Sequence, residues 1–281
     1  MRQFVAESSP DKNGCLYIEG KKARYLSTVL RCVPGDMLYV RLPGGGLQQM
    51  TVASVDSAKK RVVLQIAAST SIDSSSNESS AKALPIEKKS GLELWLFQFA
   101  AKPAKMELIV RQAVECGVSR IIPVEGEFCQ KGSVESVQKK SSGSDGRWER
   151  IITEAREQSG SPVETQISPS LSVEKSLDLW HNHLKEINAQ QNNLSLVLYE
   201  RTENTMPLHR AVASVEDVKI AALFVGAEGG ISPAEYSYLT QNGVQGIHFA
   251  TNILRCETAA LYGIAAVQSA VVEKELWQFK E

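Results

Sequence analysis

The chain has 281 residues, 43% of them hydrophobic, enough for one large globular domain or two smaller ones. Its 31 Lys and Arg stand against 32 Asp and Glu, so net charge marks neither a nucleic-acid nor a membrane partner, and any such contact needs a local patch. The five cysteines are scattered without a C-x-x-C pair, and no apolar run is long enough for a signal core or a bilayer span. Reduced thiols, no metal site, no membrane partner and a cytoplasmic location are the expectation.

Residues 1–68 read as short β-strands at Cys15–Ile18, Met37–Arg41, Gln49–Val55 and Arg61–Ala67, separated by turn signals such as Pro34-Gly35-Asp36. That spacing suggests a small barrel. One helix, Ala23–Arg31, interrupts the strands, with Leu26, Val29 and Leu30 on one face. Arg2, Lys21, Lys22, Arg24 and Arg31 make a basic cluster, commonly a solvated face and otherwise a contact for an RNA backbone. Residues 69–90 begin with a serine-rich run that cannot build a core, and they read as a linker.

From residue 91 the pattern is α/β. Leu92–Phe99 has the apolar run of a strand buried on both faces. Met106, Ile109, Val110, Ala113 and Val114 recur at helical spacing, with Gly117 as the stop. Val118–Val124 is a second strand, and residues 131–146, rich in Ser, Lys and Gly, are expected to be loose. Arg147–Ser159 is a helix and Leu194–Tyr199 a strand. His181 and His183 lie two apart on a helix and do not share a face, so they make no metal site. Strands alternating with helices imply a parallel sheet covered on both sides.

The stretch Ile220–Gly263 organises the chain. A strand, Ile220–Val225, runs into a loop carrying Gly226, Gly229 and Gly230, and a helix follows with Ser232 as N-cap and Pro233 in its first turn. A second strand, Gly246–Ala250, leads to Arg255, Glu257 and Thr258, with Thr258 as a possible N-cap of a helix Ala259–Val272. That helix is apolar almost all round and needs cover beyond one sheet. The loop spacing G-x-x-G-G is not that of a dinucleotide site. Glu228 inside the loop would repel a pyrophosphate, because nothing nearby in sequence offsets it. A phosphate-free ligand with hydroxyl and amino groups, such as S-adenosylmethionine, suits the loop better. Arg255 is open to two readings, a structural pair with Glu257 or Glu228, or a cation in a site.

These residues, with ARYLSTVLRCVPGD (23–36), KMELIVRQAVECGVSRIIPV (105–124), RWERIITEAREQSG (147–160), VGAEGGIS (225–232) and ILRCETA (253–259), resemble the bacterial ribosomal RNA small-subunit methyltransferase E family, a branch of the SPOUT methyltransferases. The resemblance implies a C-terminal trefoil-knotted parallel sheet with helices on both faces over residues 91–281, a PUA-like β-barrel over 1–68 that docks RNA, and a homodimer. It implies methyl transfer from S-adenosylmethionine to the N-3 ring position of a uridine in 16S ribosomal RNA of the small ribosomal subunit. It assigns the cofactor to Leu198, Gly226, Glu228, Gly229, Gly230, Phe249, Ala250 and Leu254, and catalysis to Arg255, Glu228, Glu257 and Thr258. RNA contact falls to Arg2, Arg24, Arg31, Lys102 and Arg156. The chain departs from the family where Ala227 stands for proline, Ala250 for glycine, and Asn252 and Ser161 for arginine, and where Gly126-Glu127-Phe128 replaces serine-glutamate-arginine. A different nucleotide target, or a non-catalytic RNA-binding assembly factor, are the alternatives.

Overall fold

The computed structural model describes residues 3–43, 46–56, 58–67, 91–143 and 146–274. Arg2 and the whole of the expected linker, residues 69–90, lie outside them. Two units separate, Met1–Lys89 with Glu157–Pro162, and Ser90–Arg156 with Val163–Glu281.

The first unit contains β1 (Phe4–Val5), β2 (Cys15–Glu19), α1 (Gly20–Arg24), β3 (Met37–Arg41), β4 (Leu47–Asp56) and β5 (Arg61–Ile66). The sheet runs β1-β3-β4-β5-β2, with β1 parallel to β3 and the other pairs antiparallel. Strand alternation turns Leu16, Ile18, Met50, Val52, Val62 and Leu64 inward, onto Phe4, Ala23 and Leu26. Residues 157–162 belong here by hydrogen bonding: the Gln3 N–H donates to the Glu157 carbonyl at 3.2 Å, and Arg41 donates to the Gly160 carbonyl at 3.4 Å.

The helix expected over Ala23–Arg31 differs. It starts three residues earlier, at Gly20, whose φ of +64° is a glycine conformation, and from Tyr25 to Val29 it winds as a π-helix. The wider winding takes Val29 off the buried face, to 63% exposure.

The second unit contains β6 (Glu93–Phe99), α2 (Pro103–Glu115), β7 (Arg120–Glu125), α3 (Lys131–Ser141), α4 (Arg147–Ser159, whose last turn counts with the first unit), β8 (Gln166–Ile167), β9 (Leu171–Ser172), α5 (Val173–Glu186), β10 (Asn193–Leu198), α6 (Leu208–Ala213), β11 (Ile220–Val225), α7 (Pro233–Gln241), β12 (Gln245–Ile247) and α8 (Cys256–Val272). Its sheet is parallel throughout, in the order β12-β10-β11-β6-β7-β8, with β9 also on β7.

Both faces are covered, and β6 shows how. Leu94 and Leu96 point into a core with Met106 and Ile109 of α2 and with Ile264 and Val267 of α8. Trp95, Phe97 and Phe99 point the other way, into a core with Leu177 and Trp180 of α5 and Leu239 of α7. Phe97 stacks on Phe224 at 4.2 Å, and the buried Trp180 indole donates to the Ser195 hydroxyl at 2.7 Å. α8 buries Ala260, Gly263, Ile264, Val267 and Ala270 and leaves Tyr262, Ala265 and Val272 exposed.

Residues 131–141 are helical rather than loose. The buried line of α3 is Ser133, Val137 and Ser141, so a helical face is present with one large apolar residue in it. The helix is held from outside as well, since Lys140 pairs with Glu107 of α2 at 2.9 Å, and Arg147 pairs with the same carboxylate at 2.7 Å. Hydrogen bonds from Arg147 and then Lys140 hold the Glu107 carboxyl at about 2, below its ordinary 4.5. A depressed carboxyl pKa stabilises the fold above the unfolded value and stops doing so as pH falls through the folded one. Glu107→Gln should therefore lower the melting temperature by a constant amount above pH 5. The gap to the unsubstituted protein should close between pH 4.5 and pH 2, and a pH-independent gap in a melting series would refute the assignment.

Candidate functional site

Strands β10, β11 and β6 lie side by side and parallel, so their carboxyl ends open on one edge of the sheet. Ligand sites of open α/β sheets form at such an edge. The loops after β10, β11 and β12 meet there around a cavity of about 430 Å³, in the range of small-molecule sites.

The loop after β11 is fixed from below. The side-chain amide of buried Gln98 in β6 donates to the Val225 carbonyl at 3.3 Å and to the Gly226 carbonyl at 3.1 Å. The chain then turns back on itself, the Gly230 N–H donating to the Ala227 carbonyl at 3.0 Å with Gly230 at φ +78°. A Cβ on Gly226 would sit 2.9 Å from the backbone carbon of Gly230. Glycine at 226 is thus a condition for closing the turn. Gly229 has a different reason, since a Cβ there would meet the Phe128 carbonyl oxygen at 2.8 Å. Ser232 caps α7 as the sequence predicts, in a reciprocal box: its hydroxyl accepts from the Glu235 N–H, and the Glu235 carboxylate accepts from the Ser232 N–H.

The charges are arranged around a residue the sequence reading left out of the site. Lys105, in the first turn of α2, lies 3.5 Å from Glu228 and 3.0 Å from Glu257. Glu228 also accepts the backbone N–H of Lys102 at 3.2 Å, at the N-terminus of α2. The carboxylate expected to stand without an offset is therefore neutralised by a lysine and a helix end from elsewhere in the chain. Burial works against the Lys105 charge, but its hydrogen bond to Glu257 and its electrostatic interactions with Cys256, Glu228 and Glu257 prevail and raise its pKa. Burial likewise works against the Glu257 charge, and bonds from its own N–H, from Lys105 and from Cys256 prevail and lower its pKa. Burial, then the Glu257 hydrogen bond, push the Cys256 thiol to about 12, so it stays protonated and unreactive at neutral pH.

Arg255 is the N-cap residue of α8, contributes no side-chain cap, and is exposed. Lys105 has taken both carboxylates that a structural Arg255 would have used, which leaves the guanidinium turned to solvent at the cavity rim. Thr258 is corrected from cap to third residue of the helix, on an exposed position, because α8 begins two residues before it. Of the other expected residues, Leu198, Gly226, Glu228, Gly229, Gly230, Phe249 and Leu254 line the cavity. Glu257 and Thr258 are not part of that lining, and Glu257 enters only through Lys105. Ala250 is exposed and outside the lining, because β12 stops at Ile247 instead of running to 250.

Arg24, Arg31 and Lys102 are exposed, Arg31 at φ +54° just after the π-helical turn. Arg156 is a correction: at 6% exposure its guanidinium serves the protein interior and presents little to a phosphate. Tyr199, Glu200 and His248 also line the cavity without having been expected there. The signal for Lys105 was slight, a lysine after a proline at a helix start.

A family model describing an RNA methyltransferase domain matches residues 88–268. A ribosomal RNA small subunit methyltransferase E from Buchnera aphidicola is 23% identical over 270 residues, 95% of this chain and 92% of that protein. Another of the same name, from Rickettsia conorii, is 30% identical over 168 residues, 59% of this chain and 60% of that protein. Among solved structures, a ribosomal RNA small subunit methyltransferase E from Neisseria gonorrhoeae bound to S-adenosyl methionine superposes with a TM-score of 0.69 at 23% identity, covering 99% of this chain and 98% of that one.

Proposed function

This chain belongs to the RNA methyltransferase domain family, and on that premise we propose that it is an S-adenosylmethionine-dependent methyltransferase acting on the N-3 ring position of a uridine in 16S ribosomal RNA of the small ribosomal subunit. The observation that carries the reading is the cavity at the sheet's carboxyl edge, which has a tight glycine loop, two carboxylates on its wall and, at its rim, a guanidinium without an ion pair among the described residues. The lining fits S-adenosylmethionine. Leu198, Ile247, Phe249 and Leu254 offer apolar surface, the loop offers close backbone, and Glu200 and Glu228 offer acceptors for hydroxyl and amino groups.

Bound S-adenosylmethionine supplies an electrophilic methyl carbon on a sulfonium. The protein's task is to hold the uridine in line and manage its N-3 proton. Loss of that proton spreads negative charge onto the ring oxygens, and the Arg255 guanidinium presents donors to it. Glu257 is a poor proton acceptor, with its pKa lowered and its oxygens engaged by Lys105 and by its own N–H. Glu228 uses Oε1 for Lys102 and Lys105, and its Oε2 is the better placed acceptor.

Residues 1–68 dock the RNA in this reading, with Arg24 and Arg31 from the first unit and Lys102 from the second on its phosphates. The same reading expects closure of the N-terminal sheet as a PUA-like barrel, a trefoil knot in the second unit, a homodimer using the exposed face of α8, and work in the cytoplasm. Small subunits from a strain lacking the enzyme, incubated with the full chain and labelled S-adenosylmethionine, should gain one methyl group at N-3 of a single uridine. Methylation mapped to another base, or none with a cofactor-binding protein, would overturn the target.

A further inference from the structure

We propose that Lys105 is a positioning residue of this site: held between Glu228 of the glycine loop and Glu257 of α8, it fixes the Glu228 carboxylate and, through it, the loop that receives the cofactor. The inference rests on the methyltransferase reading and deepens it. Three separate elements meet at the ammonium. α2 provides Lys105 itself and the Lys102 N–H that also binds Glu228, the loop after β11 provides Glu228, and the first turn of α8 provides Glu257 and Cys256.

The distances rank the two contacts. At 3.0 Å Glu257 is hydrogen-bonded to Lys105, and at 3.5 Å Glu228 is held by charge, with its firmer bond to the Lys102 N–H. Glu257 is therefore the anchor and Glu228 the group being placed. The side chains of Lys105, Glu228 and Glu257 are 26%, 22% and 16% exposed, so solvent screens this set only partly. Without the ammonium, two carboxylates face each other beside a protonated thiol. They then separate, which moves the loop, or one of them takes a proton. Glu200, His248 and Arg255 are the other ionisable groups in the cavity lining, and Arg255 makes no ion pair among the described residues.

The test is calorimetry of S-adenosylhomocysteine, the demethylated product, from pH 5 to pH 9. Its sulfur is uncharged, so placement is read apart from attraction to a sulfonium. Lys105→Met should weaken binding roughly tenfold, the scale of a lost charge-assisted hydrogen bond, and move the acid limit of binding to higher pH. Lys105→Arg should restore most of both. Lys105→Met/Glu257→Gln should bind better than Lys105→Met alone, because one of the two stranded carboxylates is gone. Unchanged affinity in Lys105→Met, or losses that simply add in the double variant and follow melting temperature at every pH, would overturn the proposal. If Lys105→Met does not fold, Glu257→Gln with Lys105 in place carries the test: it should weaken binding by less than tenfold and shift the acid limit, and no effect would overturn the proposal. A native chain that binds no cofactor product would sink the methyltransferase reading along with this one. Native binding with an indifferent Lys105 sinks this one alone.

Discussion

Arg255→Ala should lower single-turnover methylation by roughly 100-fold while the protein melts almost where it did before. The rate loss is the size seen when a preorganised donor to a developing negative charge is removed. Stability should hold because the side chain has little structural work to lose. It is exposed, it contributes no side-chain cap to α8, and the carboxylates within its reach in sequence are bound to Lys105. Exposed substitutions of this kind fall within about 0.5 kcal/mol. Affinity for S-adenosylmethionine should change little, since a cationic sulfonium gains nothing from a nearby arginine. Arg255→Lys should rescue only in part, because a point charge does not reproduce a planar fork of donors. Rate, cofactor affinity and melting temperature measured on one preparation decide the matter. Near-normal turnover by the folded variant removes Arg255 from the mechanism. A rate that falls only as the folded fraction falls makes the residue structural.

What the sequence made legible, and what it hid, follows from how far apart the interacting groups lie along the chain. The apolar runs that became β6 and β11 were readable because burial on both faces leaves no polar alternation to confuse them. The Ser232-Pro233 start of α7 was readable because every partner lies within four residues. Helix α3 was hidden by small residues on its buried side, where a periodicity reading looks for large ones. Helix α8 was started too late because its N-cap is an arginine that caps with backbone alone, which drew attention to Thr258. Residues 157–162 count with the first unit through hydrogen bonds to Gln3, Val5 and Arg41, and no local pattern announces such pairs. The site shows the same division. The glycine loop and Arg255 carry their chemistry in contiguous residues. The neutralisation of Glu228 depends on Lys105 of α2, which is far from Glu228 and Glu257 along the chain and beside them in space.

Gly226→Val should abolish measurable cofactor binding and leave a folded protein. A Cβ at 226 meets the Gly230 backbone carbon at 2.9 Å, its Cα at 3.1 Å and Ile231 Cγ1 at 3.1 Å. Backbone atoms cannot swing aside as a flexible side chain can, so the turn between Ala227 and Gly230 must open. Gly226 cannot retreat either, because its carbonyl is held by buried Gln98 at 3.1 Å. The hydrogen bond that closes the turn, from the Gly230 N–H to the Ala227 carbonyl, is then the weakest member and breaks first. Opening the turn also displaces Glu228, which lies inside it and binds Lys102 and Lys105. Losing about 2.7 kcal/mol of contact would weaken the cofactor about 100-fold, and the carboxylate and the backbone approach are lost together. The strain is local, at the end of β11, so the cost in stability should be about 1–3 kcal/mol, as for other overpacked positions. Gly91→Val is the matched control, since a Cβ there has nothing within 4 Å. It should bind and melt as the unsubstituted protein does. Gly226→Val that binds cofactor within a few fold of normal would mean that the loop closes some other way, and that the cavity beside it is not where the cofactor sits.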